Sequence, residues 1–317
     1  MKRLLIAICA LFVFSASAEA QQRFRRTSFP VNSFVINPAV AGTHSYSVFG
    51  TSYRNQWAGF DGAPTTMLLS GHATVYESVG AGLILYKDDM GGAVTQTGFE
   101  LTGSYQITLP NSDHFSFGLS LQGTQFGFDS SNLNVWDQDD PALTGSLETT
   151  FGFDAAAGIL VFGDDYTMGL SVSNLFEDEL GFYTPSDSSD NRSIRHYRAH
   201  GSYTYEIDKT LAIESSAMMR LTEVTPAQFD VYSRAICTHR RSGSQYWGGM
   251  GYRLKDAMNF SVGMIYANVG VGYSYDFTTS GNLLGRNSHE INLTYYLPNM
   301  KYGRGYRRVL DRSRLVR

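Results

Sequence analysis

The feature that most constrains this chain is an alternation of apolar and polar side chains, repeated in about fourteen segments of roughly ten residues. The clearest segment places Val269, Val271, Tyr273, Tyr275 and Phe277 on one parity, with glycine and polar residues between them. A period of two is the signature of a β-strand with two different faces. A strand of this length, when tilted, also suits a membrane crossing. The sequence therefore predicts an all-β protein.

The predicted strands cover most of the chain after its first forty residues. They are 44–54, 64–75, 78–87, 93–108, 113–127, 150–162, 166–174, 195–207, 210–221, 226–237, 244–254, 257–266, 268–278 and 287–297. A change of parity after Leu121 predicts a β-bulge near Gly123. Fourteen strands are expected, and twelve remain possible because sequence-derived boundaries shift by about 2–4 residues.

A soluble sandwich and a membrane barrel share this alternation, and the connections separate them. Predicted connections alternate between long and short, the longest being 129–149 and 175–194. Long loops at one end and tight turns at the other are typical of an outer-membrane antiparallel β-barrel. An even strand count brings both chain ends to the short-turn side, so we expect both termini to be periplasmic.

Residues 1–20 have the three parts of a cleaved signal peptide: basic Lys2 and Arg3, an apolar run from Leu4 to Phe14, and a small-residue cleavage site. This segment predicts export and supports a barrel in the cell outer membrane. The rest of the chain is divided into a periplasmic N-terminal segment with a tight turn (21–43), the barrel (44–297) and a basic periplasmic tail (298–317).

Composition excludes several classes of function. The 29 acidic residues outnumber the 25 basic ones, so the chain lacks the positive field that a nucleic-acid partner requires. Only Cys237 remains after the signal peptide, which rules out an internal disulfide and a thiolate metal cluster. The two longest loops are acidic. They are interpreted either as solvated loops or as calcium ligands, although no EF-hand spacing is present.

Several motifs match a known family. Asn37-Pro38-Ala39-Val40-Ala41-Gly42 precedes the first strand, and Tyr53-Arg54-Asn55-Gln56-Trp57 ends it. Gly272-Tyr273-Ser274-Tyr275-Asp276 and Ser288-His289-Glu290-Ile291 lie in the closing strands. With these motifs the chain resembles the PorP/SprF family of type IX secretion outer-membrane proteins of Bacteroidetes.

The resemblance implies a non-enzymatic component of the type IX secretion and gliding machinery. It implies partners among the periplasmic ring and peptidoglycan-linking proteins. It also implies that the protein supports export or surface anchoring of a secreted adhesin cargo. The residues themselves predict only the barrel and its contact with outer-membrane lipid.

Three groups of residues are candidates for a structural or binding role. Asn37, Pro38 and Gly42 are expected to form a tight turn, because proline fixes φ and glycine accepts a positive φ. Asp276, His289 and Glu290 mark the closing strands, where inward charges are expected to pair within the lumen. Arg54, Gln56 and Trp57 are interpreted either as a girdle in which Arg54 bonds loop carbonyls, or as a rim that binds a secreted partner.

The basic tail contains seven basic residues against one acidic residue from Asn299 to Arg317. Arg304, Arg307 and Arg308 are its candidates for contact with an acidic periplasmic protein or anionic headgroups; a solvated end is the alternative.

The sequence offers no good basis for an enzyme and predicts no cofactor. No serine lies in a nucleophile elbow, and no carboxylate pair has a defined cleft. His196 and His200 share a face, but about 13 Å of strand separates them, so they cannot share a metal. Two functions stay open: an accessory barrel of a secretion machine, and a porin or hydrophobic-solute transport barrel. A lumen plugged by residues 21–43 would favour the first.

Overall fold

A computed structural model describes residues 29–59, 62–110, 113–129, 147–178, 192–279 and 285–298. These residues form a closed antiparallel barrel of fourteen strands. The strands are β1 Tyr46–Asn55, β2 Thr65–Tyr76, β3 Val79–Asp89, β4 Val94–Thr108, β5 His114–Asp129, β6 Leu147–Phe162, β7 Tyr166–Ser173, β8 His196–Glu206, β9 Leu211–Thr222, β10 Gln228–Thr238, β11 Gln245–Arg253, β12 Ala257–Tyr266, β13 Val269–Thr278 and β14 Ser288–Pro298. The predicted fold class is confirmed, with fourteen strands instead of twelve.

Each strand pairs with its neighbours in sequence, and the first strand pairs with the last. The closing register runs from Tyr46 opposite Pro298 to Asn55 opposite His289. Closure satisfies the backbone groups of both edge strands, as a structure surrounded by lipid requires. No helix in the described ranges is long and apolar enough to cross a membrane.

The two faces of the barrel are reversed relative to a soluble protein. On β14 the outward residues Ile291, Leu293 and Tyr295 are exposed, whereas inward Glu290 and Asn292 are buried. The other strands also expose apolar side chains outward, because a lipid-facing surface must be apolar. Their inward positions are mostly polar, with apolar exceptions such as Leu68 and Ile84 where the plug segment packs. The apolar residues of the alternating sequence pattern are therefore the ones that face outward.

The two ends of the barrel differ. One end, called the short-turn end, carries 77–78, 163–165 and 267–268 and the points where the chain enters β1 and leaves β14. The other, called the loop end, carries the longer connections, among them 56–64, 174–195 and 279–287. The acidic loop predictions fall mostly on 130–146 and 179–191, outside the described residues, as do the signal peptide and the basic tail.

One prediction about the strands is wrong. The register of β5 against β4 and β6 continues through Gly123 without a shift, so no bulge lies there. The change of parity has another cause: aromatic residues take inward positions beyond Thr124, which itself faces the lumen with its hydroxyl 2.6 Å from the Tyr86 hydroxyl. Phe126 and Phe128 keep the same inward parity and are half-buried. A register shift does occur in β2 against β3, between Thr74 and Tyr76.

The lumen is occupied by the chain's own N-terminal residues. Residues 29–43, called the plug segment, contain two 3-10 helices, Ser33–Val35 and Pro38–Val40. Phe34, Ala39 and Val40 are buried against apolar side chains of the wall, including Leu68 and Ile84. The sequence had placed 21–43 beyond the barrel as a periplasmic segment. Its described part lies inside, because these apolar side chains and the wall polar groups both find partners there.

Candidate functional site

Asn37 joins the plug segment to two strands. Its side-chain oxygen accepts from the backbone N–H of Ala39 at 2.9 Å, which caps the second 3-10 helix. Its side-chain nitrogen donates to the Ile159 carbonyl on β6 at 3.0 Å and lies 3.0 Å from Nε2 of His200 on β8. One amide therefore fixes the turn internally and fixes its position across the lumen.

Three lumen serines hold the carbonyls of the plug segment. Ser171 donates to the Ile36 carbonyl at 2.6 Å, Ser116 to the Ala39 carbonyl at 2.7 Å, and Ser104 to the Ala41 carbonyl at 2.7 Å. Buried carbonyl groups without partners would be costly, and these donors come from three different strands. The polar, inward-facing side chains of the wall thus satisfy backbone carbonyls of the plug segment, which pairs with no strand.

Glycines in the wall make room for this approach. A Cβ at Gly118 would collide with the Pro38 backbone, and one at Gly158 would collide with the Asn37 side chain. Gly42 has a φ of +69°, and its backbone also passes closely over Gly80. The positive φ predicted for Gly42 is therefore present, although the turn packs against the wall and does not merely lead into β1.

The loop end of the lumen contains a buried ion network. Arg54 on β1 lies 2.9 Å from Asp276 and 3.4 Å from Glu290. Arg253 on β11 lies 3.3 Å from Asp230 and 3.6 Å from the same oxygen of Asp276. Exposure of the Arg54, Asp276 and Glu290 side chains is only 5%, 2% and 1%. At these distances the attraction between opposite charges offsets the free-energy cost of burying them away from water.

A second pair lies deeper in the barrel. Arg234 on β10 approaches Glu214 on β9 at 3.1 Å, and its guanidinium lies 5.3 Å from the centre of the Trp247 ring. Tyr232 next to it bonds the Ser261 hydroxyl. These groups face the lumen and satisfy one another, so the lumen wall is polar and largely self-bonded.

The arrangement offers no reaction centre. Within the described ranges, no group of three or more His, Cys, Asp or Glu side chains could hold a metal ion. The charged groups of the two networks are paired and buried. The described side chains of the lumen bind a segment of polypeptide and one another. A filled lumen of this kind suits a barrel that acts through its surfaces.

Comparison with known proteins identifies the family. The family model for the type IX secretion system membrane protein PorP/SprF matches residues 18–295. The chain belongs to the PorP/SprF family. This PorP/SprF protein is accordingly an outer-membrane component of a type IX secretion system, and its family and fold are not those of a known enzyme class. No curated protein matches it by sequence.

Solved structures with the same fold are outer-membrane barrels. The CymD monoaromatic hydrocarbon channel is 11% identical with a TM-score of 0.55, over 89% of this chain and 96% of that one. A TodX deltaS2S3 mutant monoaromatic hydrocarbon channel is 11% identical with a TM-score of 0.52, over 84% of this chain and 94% of that one. At this identity the likeness concerns the fold alone.

The structure brings some of the predicted residues of this PorP/SprF protein together. Asp276 and Glu290 meet around Arg54, so the prediction that inward charges pair in the lumen holds for them. His289 lies on the outward parity of β14, where its Nδ1 contacts the Tyr273 hydroxyl at 2.6 Å. It belongs to an aromatic surface and is separate from the ion network.

The structure places Arg54 beneath the loop end. It bonds the buried carboxylates of Asp276 and Glu290, and its own side chain is buried. Inward parity at position 54 explains this placement, since Tyr53 and Asn55 take the outward one. Trp57 and Gln56 lie beyond the strand end and are half-buried. Arg304, Arg307 and Arg308 lie outside the described residues.

The sequence did not reveal the contacts of His72 and His200. His72 on β2 accepts a hydrogen bond from the Gly42 N–H at 3.3 Å, and His200 faces Asn37. Each histidine lies on the inward parity of its strand, and from the sequence that parity predicts only that the side chain faces the lumen. Nothing in the local sequence indicates the partner, because the plug segment lies 30 residues from His72 and 163 residues from His200 in sequence.

Proposed function

We propose that this protein is a plugged, non-enzymatic scaffold of the type IX secretion and gliding machinery. It supports export or surface anchoring of a partner adhesin and contacts periplasmic ring and peptidoglycan-linking proteins. The observation that carries the proposal is the occupied lumen. The plug segment is bonded to strands on several sides of the wall. The surfaces at the outer and inner ends of the barrel are therefore the places where the protein would bind its partners.

The loop end supports a docking surface for cargo. The backbone N–H of Trp57 donates to the Ser288 hydroxyl at 3.1 Å, and that of Ala58 donates to the Asn287 carbonyl at 2.7 Å. The connection after β1 is thus held against the connection before β14, directly above Arg54. A fixed tryptophan at a rim is the kind of side chain that contributes strongly to protein binding.

Substitution tests this docking surface. Trp57→Ala and Gln56→Ala should lower the amount of adhesin on the cell surface while leaving the barrel folded. Arg54→Ala is not a docking test, because it removes the ion network beneath. Heat-modifiable migration on gels reports folding, and whole-cell immunoblots report the adhesin. If both variants fold and export normally, the rim does not bind cargo.

The basic tail is proposed as the contact with the periplasmic machinery. Arg304, Arg307 and Arg308 provide the charge, and an acidic surface or anionic headgroups are the matching partners. Deleting 301–317 and pulling down the barrel from solubilised membranes should reduce capture of ring proteins. Undiminished capture would exclude the tail as the contact.

The main alternative is a porin or a barrel for hydrophobic solutes. Its support is the likeness of fold to barrels described as monoaromatic hydrocarbon channels, which carries no information on substrate. The two functions give opposite outcomes in two assays. The scaffold predicts that gene deletion abolishes surface display of an adhesin that co-purifies with the barrel. The alternative predicts conductance or solute uptake by the purified protein in liposomes.

A further inference from the structure

Two histidines of the lumen wall contact the plug segment as hydrogen-bond acceptors. The Gly42 N–H can only donate, so Nδ1 of His72, 3.3 Å away, must carry a lone pair. The Asn37 side-chain oxygen accepts from the Ala39 N–H, so the atom facing His200 is the NH₂ nitrogen. One of its two hydrogens goes to the Ile159 carbonyl at 3.0 Å, and Nε2 of His200, also 3.0 Å away, accepts the other.

Each acceptor requires a neutral imidazole. A protonated histidine carries hydrogen on both ring nitrogens and accepts nothing. Protonation would turn each acceptor into a donor facing another donor, so the bond would be replaced by a repulsive contact. The two contacts lie at opposite ends of the turn 37–42, one on β8 and one on β2. Losing both would weaken the hold on the turn from both sides of the lumen, while the hydroxyl bonds to its carbonyls would remain.

We propose that His72 and His200 form an acid-sensitive latch, which holds the turn of the plug segment tightly at neutral pH and loosens it on acidification. An unperturbed histidine titrates near pH 6.5, within the range that an exported protein can meet. The tightly held state takes up fewer protons than the loosened state. The hold of the histidines on the turn is therefore strongest above the imidazole titration and is lost as the pH falls through it. This inference does not depend on the role in cargo export.

The surroundings of His200 reinforce the effect. Among described lumen residues within two register positions, Arg198 on its own strand and Arg220 on β9 are cationic, whereas β7 contributes Thr167 and Ser171. His196 lies farther along the same strand. A proton on His200 therefore adds like charge beside existing cations, which opposes any compensating contact.

His72 has a titratable neighbour of its own. The His44 ring lies 5.3 Å from the His72 ring, and Tyr46 packs on the other side of His44. Phe34 of the plug segment covers His72 at 4.9 Å. Described residues facing His72 from β1 and β3 include Val48 and Gly82, which carry no charge. Protonation here places a charge beside a second imidazole.

Glutamine provides the decisive variant. In His72→Gln/His200→Gln the side-chain carbonyl can still accept, but the group does not titrate. Hydrogen exchange of plug peptides, measured by mass spectrometry on the full-length protein in detergent, reports latch opening. Rates are corrected for intrinsic pH dependence and compared at pH 7.5 and pH 5. His239→Gln is the matched control, since His239 lies in an exposed turn away from the plug segment and its ring bonds Ser242.

We expect acidification to raise the corrected exchange of residues 37–43 on the order of tenfold in the wild type and in His239→Gln, since two hydrogen bonds are lost. The double glutamine variant should show no such rise. Equal protection at both pH values in the wild type would overturn the latch. So would an equal response in the double variant, because the plug would then respond to another group.

Discussion

Removing Arg54 should be the most damaging single change in the lumen. Its guanidinium lies between two carboxylates, Asp276 at 2.9 Å and Glu290 at 3.4 Å, and both side chains are almost fully buried. In Arg54→Ala both carboxylates lose the guanidinium that lies between them, and Asp276 keeps the more distant Arg253 at 3.6 Å. Breaking a buried ion pair by removing one partner costs about 3–5 kcal/mol. We expect the free energy of unfolding to fall by about that amount.

Arg192 provides a matched control. It pairs with Glu177 at 3.0 Å, but 40% of its side chain is exposed. Exposed ion pairs contribute about 0–1 kcal/mol, so Arg192→Ala should be nearly silent. Urea unfolding in detergent micelles, followed by tryptophan fluorescence and by gel mobility without heating, measures both variants against the wild type.

A second variant separates charge from packing. If burial of unpaired carboxylates is the cause, adding Asp276→Asn to Arg54→Ala should recover part of the lost stability. The reasoning is refuted if Arg54→Ala unfolds within about 0.5 kcal/mol of Arg192→Ala, the range of ordinary surface substitutions. It is also refuted if Asp276→Asn adds to the loss, since the carboxylate would then be stabilised by something other than the arginine.

Further predictions concern the plug, the topology and one turn. Gly118→Ala should displace the plug segment and raise plug exchange, whereas Gly103→Ala should not, because a Cβ at Gly103 meets nothing within 4 Å. Cys237 lies on the lipid-facing parity of β10, so the topology is tested at the exposed turn that follows it. In a Cys237→Ser background, a membrane-impermeant maleimide should label His239→Cys in permeabilised cells but not in intact ones if that end is periplasmic. Hydrogen bonds from the Thr210 side chain, then from its backbone, lower the pKa of Asp208 in the β8–β9 turn. Amide protection there should persist above the ordinary carboxyl pKa and fall as the pH drops through the lowered one, with Asp208→Asn showing no such titration.

Most of the barrel could be predicted because its signal is local. A strand between lipid and a polar lumen must alternate, so parity at Val269 to Phe277 indicates both the strand and its lipid face. The same alternation excludes a slip of one residue at the closing pair, since such a slip would turn Ile291 and Leu293 inward. The approximate positions of the strands needed no knowledge of contacts between distant residues, whereas parity alone left both twelve and fourteen strands possible.

The contents of the lumen could not be predicted in the same way. Parity indicates that Arg54, Asp276 and Glu290 face inward, but not which charge each one meets across the barrel. The plug segment carries no alternation, because its side chains are surrounded by wall on several sides. Gly123 shows the limit of the pattern: inward aromatic residues near the loop end broke the expected polarity and suggested a bulge that does not exist.

Two levels of the lumen are therefore occupied by groups that different forces hold in place. At the short-turn end the plug segment depends on neutral hydrogen bonds, each contributing about 1 kcal/mol and two of them depending on unprotonated histidine. At the loop end the Arg54 network depends on ion pairs whose carboxylates are shielded from water and from salt. Acid weakens the histidine hydrogen bonds to the plug segment and leaves the arginines of the ion network charged. It follows that loosening of the plug alone should increase its hydrogen exchange without opening a conducting path, and that a path requires the ion network to be broken as well.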